Sequence, residues 1–351
     1  MPRKSPGHRT TSRKKEHVDI TLTRDVRFRG KTTGLEHLEF VHNALPELDI
    51  AEVDTHTRFL GHELALPLMV SCMTGGYARA LAINRDLAAV CESAGIALGV
   101  GSQRQALENT VYHRTFSVVR EAAPSIPVVG NIGAAEVARM KDASPALRLA
   151  ELVRADAFAV HLNPLQEFLQ PEGTPAFRGV LSGIGMLARS LPIPLIVKEI
   201  GAGLSAAVIR RLLDAGVSII DVAGAGGTSW AGVEAIRRKD PPDGAPFWDW
   251  GIPTAIALQE AAALRREGRQ MTLIASGGIA SGLDVARCLA LGADIAASAR
   301  PLLEALARGG RKGLSALIAR WALELRGAMF LTGSARVADL RAAQLVRYPR
   351  S

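Results

Sequence analysis

Two short segments late in the chain have residues that could hold a phosphate. Ser276-Gly277-Gly278-Ile279 and Ala299-Arg300 each close an apolar run. Small residues let backbone N–H groups approach phosphate oxygens, and a following helix start adds its positive end. A plain chain reversal would also use glycines, but two such signals on successive late runs favour a phosphate. Lys198 ends the run PLIVKEI, whose other residues read as buried. An unpaired lysine is rarely buried, so Lys198 must face something electron-rich. The carbonyl–nitrogen edge of a flavin is one such partner, and Glu199 is the rival. Thr74, Ser102 and Asn131 end three further runs with hydrogen-bonding side chains. Each alone is an ordinary strand end; together with Lys198 they suggest a polar ring.

A second constellation is His161-Leu162-Asn163-Pro164-Leu165-Gln166-Glu167. His161 and Asn163 alternate, so on a strand both face the same side, with Gln166 and Glu167 just beyond. Magnesium takes one or two carboxylates plus substrate phosphate oxygens, which makes Glu167 a metal candidate; a surface acid is the rival reading. The stretch Gly224-Ala225-Gly226-Gly227-Thr228-Ser229-Trp230-Ala231-Gly232-Val233-Glu234 offers close backbone approach, a donor at Thr228 and an apolar wall at Trp230. Linker character would explain its glycines but not Trp230 or Glu234.

The elements that must position these residues recur along the chain. Eight apolar runs occupy 66–74, 97–103, 127–133, 157–163, 194–200, 218–224, 272–278 and 294–300. They are nearly continuous rather than alternating, as strands buried on both faces are. Most intervals fit one strand, one helix and two short loops. Helical patterns fill 81–93, ended by Gly95; 205–215, started by Ser205; 253–267, started by Pro253; and 282–291. The pattern predicts an α/β fold, a (β/α)8 TIM barrel with an N-terminal extension. Residues 1–31 read as a basic flexible arm or lid, with a solvated tail the rival reading for 1–12, and 32–351 as the barrel. The long stretches 164–183 and 225–252 read as functional loops at the strand C-terminal ends, where barrel enzymes build their sites.

Charge and composition exclude several classes. The net charge of +8 suggests nucleic acid until it is located: residues 1–31 carry +7 and the rest of the chain +1. The body has no basic field to attract a phosphate backbone, so no nucleic-acid partner is expected. No apolar run nears the roughly 20 residues of a membrane helix, so no membrane partner is expected either. The start has no apolar stretch behind its charges, unlike a secretory signal. Cys72, Cys91 and Cys288 lack paired or metal-ligand spacing, which fits a reduced, cytoplasmic setting.

With these residues in view, the chain resembles the type 2 isopentenyl-diphosphate isomerases, FMN-dependent barrel enzymes. The resemblance runs from Arg13-Lys14-x-x-His17 to Met329-Phe330-Leu331-Thr332-Gly333, through MTGG (73–76), GSQR (101–104), NIGA (131–134), HLNPLQE (161–167), VKEIGAG (197–203), DVAGAGGTSW (221–230) and WGIPT (250–254). HLNPLQE, and GGTSW followed by Glu234, are its most specific parts. It implies that Cys72, Met73, Thr74, Ser102, Asn131, Lys198 and Thr228 contact FMN, with Gly277, Gly278, Ala299 and Arg300 around its phosphate. It implies that Arg13, Lys14, Ser102, Gln103, Arg104 and Gln166 hold a small diphosphate substrate, and that Glu167 binds Mg²⁺. Gln166 and His161 become the candidates for relaying a proton, NADPH the reductant, and a homo-oligomer the assembly. Where the family often has Arg, this chain has Ala280, so the phosphate grip would either be weaker or fall to Arg300. The expected reaction is a 1,3-proton shift between isopentenyl and dimethylallyl diphosphate. The rival is an FMN oxidoreductase of the hydroxy-acid oxidase type. It would need a His base on a late loop, and no His follows His161.

Overall fold

The computed structural model describes residues 6–240 and 245–347. Eight parallel strands close into a barrel: β1 (Leu68–Val70), β2 (Ala97–Gly99), β3 (Val128–Gly133), β4 (Ala157–His161), β5 (Leu195–Lys198), β6 (Ile219–Asp221), β7 (Thr272–Ala275) and β8 (Ile295–Ser298). β8 returns to β1 through Ala296↔Leu68 and Ser298↔Val70, so the barrel leaves no open edge. Each strand lies inside its predicted run. Alternation along the strands divides the core in two. Met69, Val129, Ala157, Ala159, Ile196 and Ile274 form one cluster inside the barrel. Leu68, Val70, Phe158, Val160 and Val197 belong to the larger one shared with the surrounding helices. Burial on both sides is the reason the strands read as unbroken apolar runs.

The helix signals act as expected. Gly95, at φ 61°, ends Ala80–Ala94. The Ser205 hydroxyl accepts from Val208 N–H at the start of Ala206–Asp214, and Ser281 does the same for Gly282–Ala290. Pro253 caps Thr254–Arg266 from just outside it.

Other features depart from the sequence reading. Strands Thr57–Phe59 and His62–Leu64 make a hairpin whose Phe59 and Leu64 join the interior cluster. Its turn has positive φ at both Leu60 and Gly61, the geometry that matches strand twist. A short strand Leu38–Phe40 pairs antiparallel with Leu345–Arg347, tying the early chain to its end. Residues 164–183 are not simply loop: Pro164–Leu169 is helical, with proline in its first turn where the missing N–H costs nothing. Trp230–Arg238 is a helix begun by the Ser229 hydroxyl. Of the predicted arm, residues 1–5 lie outside the described residues, and Pro6–Thr23 is a helix rather than a solvated tail. Its partners, described below, are distant in sequence, and they stabilise a helix that propensity alone would leave marginal. Among the described residues no helix is long and apolar enough to cross a membrane.

Candidate active site

At the C-terminal ends of the strands lies a cavity lined by both polar and apolar side chains. β1 leads into Cys72, Met73 and Thr74; β2 into Ser102 and Arg104; β3 supplies Asn131; β4 supplies His161; β5 supplies Lys198. The helix after β4 adds Gln166 and Glu167, and the N-terminal helix adds Arg13 and Lys14 from above. Twelve of the residues singled out from sequence therefore share one basin.

The floor is polar and held in place. Asn131 Oδ1 sits 2.9 Å from His161 Nδ1, so Nδ1 carries the proton and Nε2 presents a lone pair. Burial, reinforced by the charges of Lys198, Lys14 and Arg13, pushes the His161 pKa down to about 3. His161 is a neutral imidazole at any ordinary pH. Asn163, buried beside it, donates to Gln166 Oε1 at 3.0 Å and to Glu167 Oε1 at 3.1 Å. Thr174 N–H donates to Glu167 Oε2 at 2.6 Å. One amide and one backbone group thus orient the two side chains that face the substrate space.

The roof is cationic. Lys14 donates to the Ser102 carbonyl, and its ammonium lies 5.3 Å from the centre of the Phe116 ring. Burial, then the charge of Arg13, lowers its pKa to about 7. Arg13 is lowered too, by burial first and Arg104 second. Arg104 pairs with Glu136 at 3.0 Å and with Glu108 at 3.3 Å. Burial raises the Glu136 carboxyl above its usual range, against the pull of Arg104 and with the help of Glu167. Three cations and two carboxylates around one space suit a polyanion bridged by a divalent cation.

A further network closes the rim. His17 Nε2 meets Glu234 Oε1 at 2.8 Å, and the His17 ring packs edge-on against Trp230 at 5.2 Å. Arg237 binds Glu234 at 2.6 Å, Glu16 at 3.1 Å and Glu172 at 3.2 Å, so one guanidinium joins three segments. Burial lowers the His17 pKa. Burial alone would raise Glu234, but hydrogen bonds and charge from His17 and Arg237 bring it below its usual value. Glu136, Arg237 and Glu172 carried no sequence signal. Each is an ordinary acid or base on a helix or loop until the barrel closes.

Several expected residues lie elsewhere. Gln103 does not face the cavity: it is fully buried, donates to the Leu149 carbonyl at 2.8 Å and accepts from Asn131 N–H at 3.0 Å. It lies beyond the end of β2, just before the helix Arg104–Glu108, and its side chain is turned inward while its neighbours Ser102 and Arg104 line the cavity. Thr228 lies outside the cavity lining, in a bridge with Arg27. Gly277 and Gly278 have φ of 102° and 73°; a Cβ at Gly277 would stand 2.1 Å from the Gly224 carbonyl, and one at Gly278 would stand 2.4 Å from Thr33. Tight packing between the β6 and β7 loops accounts for these glycines whether or not a phosphate binds. Ala299 caps the helix Arg300–Phe330. Arg300 pairs with Glu304 at 2.7 Å and reaches the Arg24 carbonyl at 3.4 Å, so it is not aimed into the cavity.

Comparison with known proteins gives this geometry a context. A family model for FMN-dependent dehydrogenases matches residues 8–123 and 153–347. The isopentenyl-diphosphate delta-isomerase of Chlorobaculum parvum is 49% identical, with 97% of this chain and 98% of that protein aligned. The protein of the same name from Methanothermobacter thermautotrophicus is 43% identical over 96% and 93%. Among solved structures, a putative lactate oxidase of Pediococcus acidilactici superposes with a TM-score of 0.68 at 18% identity, over 100% of this chain and 97% of that one. A mandelate oxidase mutant gives 0.65 at 20%, over 98% and 99%. These two share the fold alone.

Proposed function

Because the chain belongs to the isopentenyl-diphosphate delta-isomerases, within the wider family of FMN-dependent dehydrogenases, we propose that its cavity interconverts isopentenyl and dimethylallyl diphosphate over bound FMN. The observation that carries this reading is the meeting of two chemistries in one basin. Arg13, Lys14 and Arg104, with Glu167, suit a metal-bound diphosphate; Lys198, Asn131, Ser102 and neutral His161 suit an electron-rich heterocycle. The donor set fits FMN: Lys198 and Asn131 can meet its carbonyl–nitrogen edge, with Cys72, Met73 and Thr74 against the ring. Gly277, Gly278 and the Ala299–Arg300 helix start are its proposed phosphate corner, with Thr228 on the neighbouring loop.

The reaction adds a proton at the terminal alkene carbon and removes one from the carbon next to the CH₂–O group, with no net electron transfer. FMN, in its reduced form, supplies an electron-rich and protonatable face beside the alkene. The rest falls to this chain's residues. Arg13, Lys14 and Arg104 grip the diphosphate, and Glu167 holds Mg²⁺ against it, so binding far from the alkene fixes the alkene's place. Gln166 and His161 Nε2, which line the basin, are the proposed relay for the second proton. The weak basicity of His161 lets it hand that proton on rather than keep it. The N-terminal helix covers the basin and excludes water from a cation-like transition state.

NADPH as the reductant and a cytoplasmic setting complete the proposal. A homo-oligomer is supported by exposed Phe168 and Trp250, which with Phe247 form an edge-to-face aromatic cluster on the surface. The test is anaerobic incubation of FMN-loaded, NADPH-reduced protein with isopentenyl diphosphate and Mg²⁺, read by proton NMR. Dimethylallyl diphosphate is the expected product. If none forms, and a 2-hydroxy acid instead reduces the flavin, the oxidoreductase alternative holds.

A further inference from the structure

Asp221 is a buried carboxylate that the reaction as described leaves unused. It ends β6, next to Lys198 on β5, and the two residues are partners in the parallel register. Both are almost fully buried. Asp221 Oδ2 lies 3.7 Å from Lys198 Nζ. Its other oxygen accepts from Ser276 Oγ at 2.6 Å and from Ala223 N–H at 3.2 Å. Ala223 adopts a positive φ of 39°, unusual for a residue with a Cβ, and so turns its N–H back onto the carboxylate. Three strands therefore hold one acid against one amine. Glu199, the partner open to Lys198 from sequence, is engaged elsewhere: its carboxylate accepts from Ile200, Gly201 and Ala202 N–H. Only its backbone carbonyl accepts a hydrogen bond from Lys198, at 2.6 Å.

We propose that Asp221, fixed by Ser276, is the positioning residue of Lys198: it sets the direction of the ammonium and balances its charge beside bound FMN. An ammonium has three N–H bonds. One goes to the Glu199 carbonyl; Asp221, at 3.7 Å, faces the ammonium as an ion-pair partner and draws it toward β6, while Lys198 still lines the cavity. Stability does not account for the pair, because a buried ion pair is often no better than well-packed apolar residues. A full positive charge at the ring would favour the anionic reduced cofactor and make it a poorer base. The paired lysine keeps its hydrogen bond while offering less charge, which suits a cofactor that must move protons rather than electrons.

This inference rests on FMN binding, and its test separates the two. FMN affinity is measured by fluorescence quenching and the two-electron potential by dye equilibration, for the whole chain and for Asp221→Asn, Ser276→Ala and Lys198→Met. Wild-type protein that binds no FMN overturns the cofactor reading itself. With FMN bound, Asp221→Asn should favour reduced over oxidised flavin by tenfold or more, about 30 mV for a two-electron couple. Ser276→Ala should shift the ratio the same way by two- to fivefold. Combined with Lys198→Met, Asp221→Asn should lose most of its effect, since coupled sites are not additive. A ratio within twofold of wild type in Asp221→Asn overturns the proposal, as does full additivity with Lys198→Met. Should Asp221→Asn not fold, an unchanged ratio in Ser276→Ala decides against it.

Discussion

Lys14 offers a quantitative test of how the diphosphate is gripped. Its pKa falls from 10.5 to about 7 because the ammonium is buried beside Arg13. A drop of that size corresponds to roughly 5 kcal/mol of work to keep the amine charged there, at about 1.36 kcal/mol per unit. Part of the side chain still faces the cavity, so solvent screening makes this an upper bound. The sign follows directly. Below pH 7 the free enzyme carries a charged Lys14, and above it the charge is lost before substrate arrives. A bound diphosphate supplies the missing counter-charge and returns the pKa toward its ordinary value. The ratio kcat/KM, which reports the free enzyme, should therefore fall above pH 7, by about 100-fold at pH 9. The turnover number kcat should stay nearly level over the same range. Lys14→Arg, whose guanidinium stays charged, should remove the falling limb; Lys14→Met should lower kcat/KM at every pH below 7. Initial rates with isopentenyl diphosphate and saturating Mg²⁺, from pH 6 to 9, decide the matter. A flat kcat/KM profile in the wild type, or an unchanged limb in Lys14→Arg, refutes the assignment.

Other consequences are open to direct measurement. Glu167→Gln should cut Mg²⁺-dependent turnover by about 100-fold or more, beyond the usual cost of losing an outer-shell partner, while FMN stays bound; unchanged turnover removes Glu167 from the metal role. Deleting residues 1–14 takes away Arg13 and Lys14 and should raise KM about tenfold or more, as expected for losing charge-assisted contacts, with Tm little changed. An unchanged KM would leave the N-terminal helix no part in substrate binding. Gly277→Ala should destabilise the fold by about 1–3 kcal/mol from its backbone conformation alone, with more from the clash at the Gly224 carbonyl, lowering Tm by calorimetry.

Much of the site was open to reading because barrel geometry repeats. A polar side chain at the end of an apolar run lies at the same rim as every other, so Thr74, Ser102, Asn131, His161 and Lys198 could be grouped without knowing any distance. Gln103 shows where that reasoning stops. It adjoins Ser102 and has an amide suited to binding, but at the turn into the next helix it points inward to Leu149 and Asn131. Arg300 shows the same limit, since a glutamate one helical turn away claims it. Glu136 and Arg237 have no local pattern that marks them. Their meaning comes from Arg104 and from Glu16, Glu172 and Glu234, which only the closed structure brings near.

The order of residues alone determined the eight strands and the motifs at their ends, because burial on both faces and tight turns leave local traces in composition. Tertiary structure alone decided which charges meet. Asp221 rather than adjacent Glu199 faces Lys198 with its carboxylate, and the N-terminal helix lies over the basin instead of trailing in solvent. The low pKa values of His161 and Lys14 arise the same way. Electrostatic energy depends on distance through space and on exclusion of water, and neither is set by spacing along the chain.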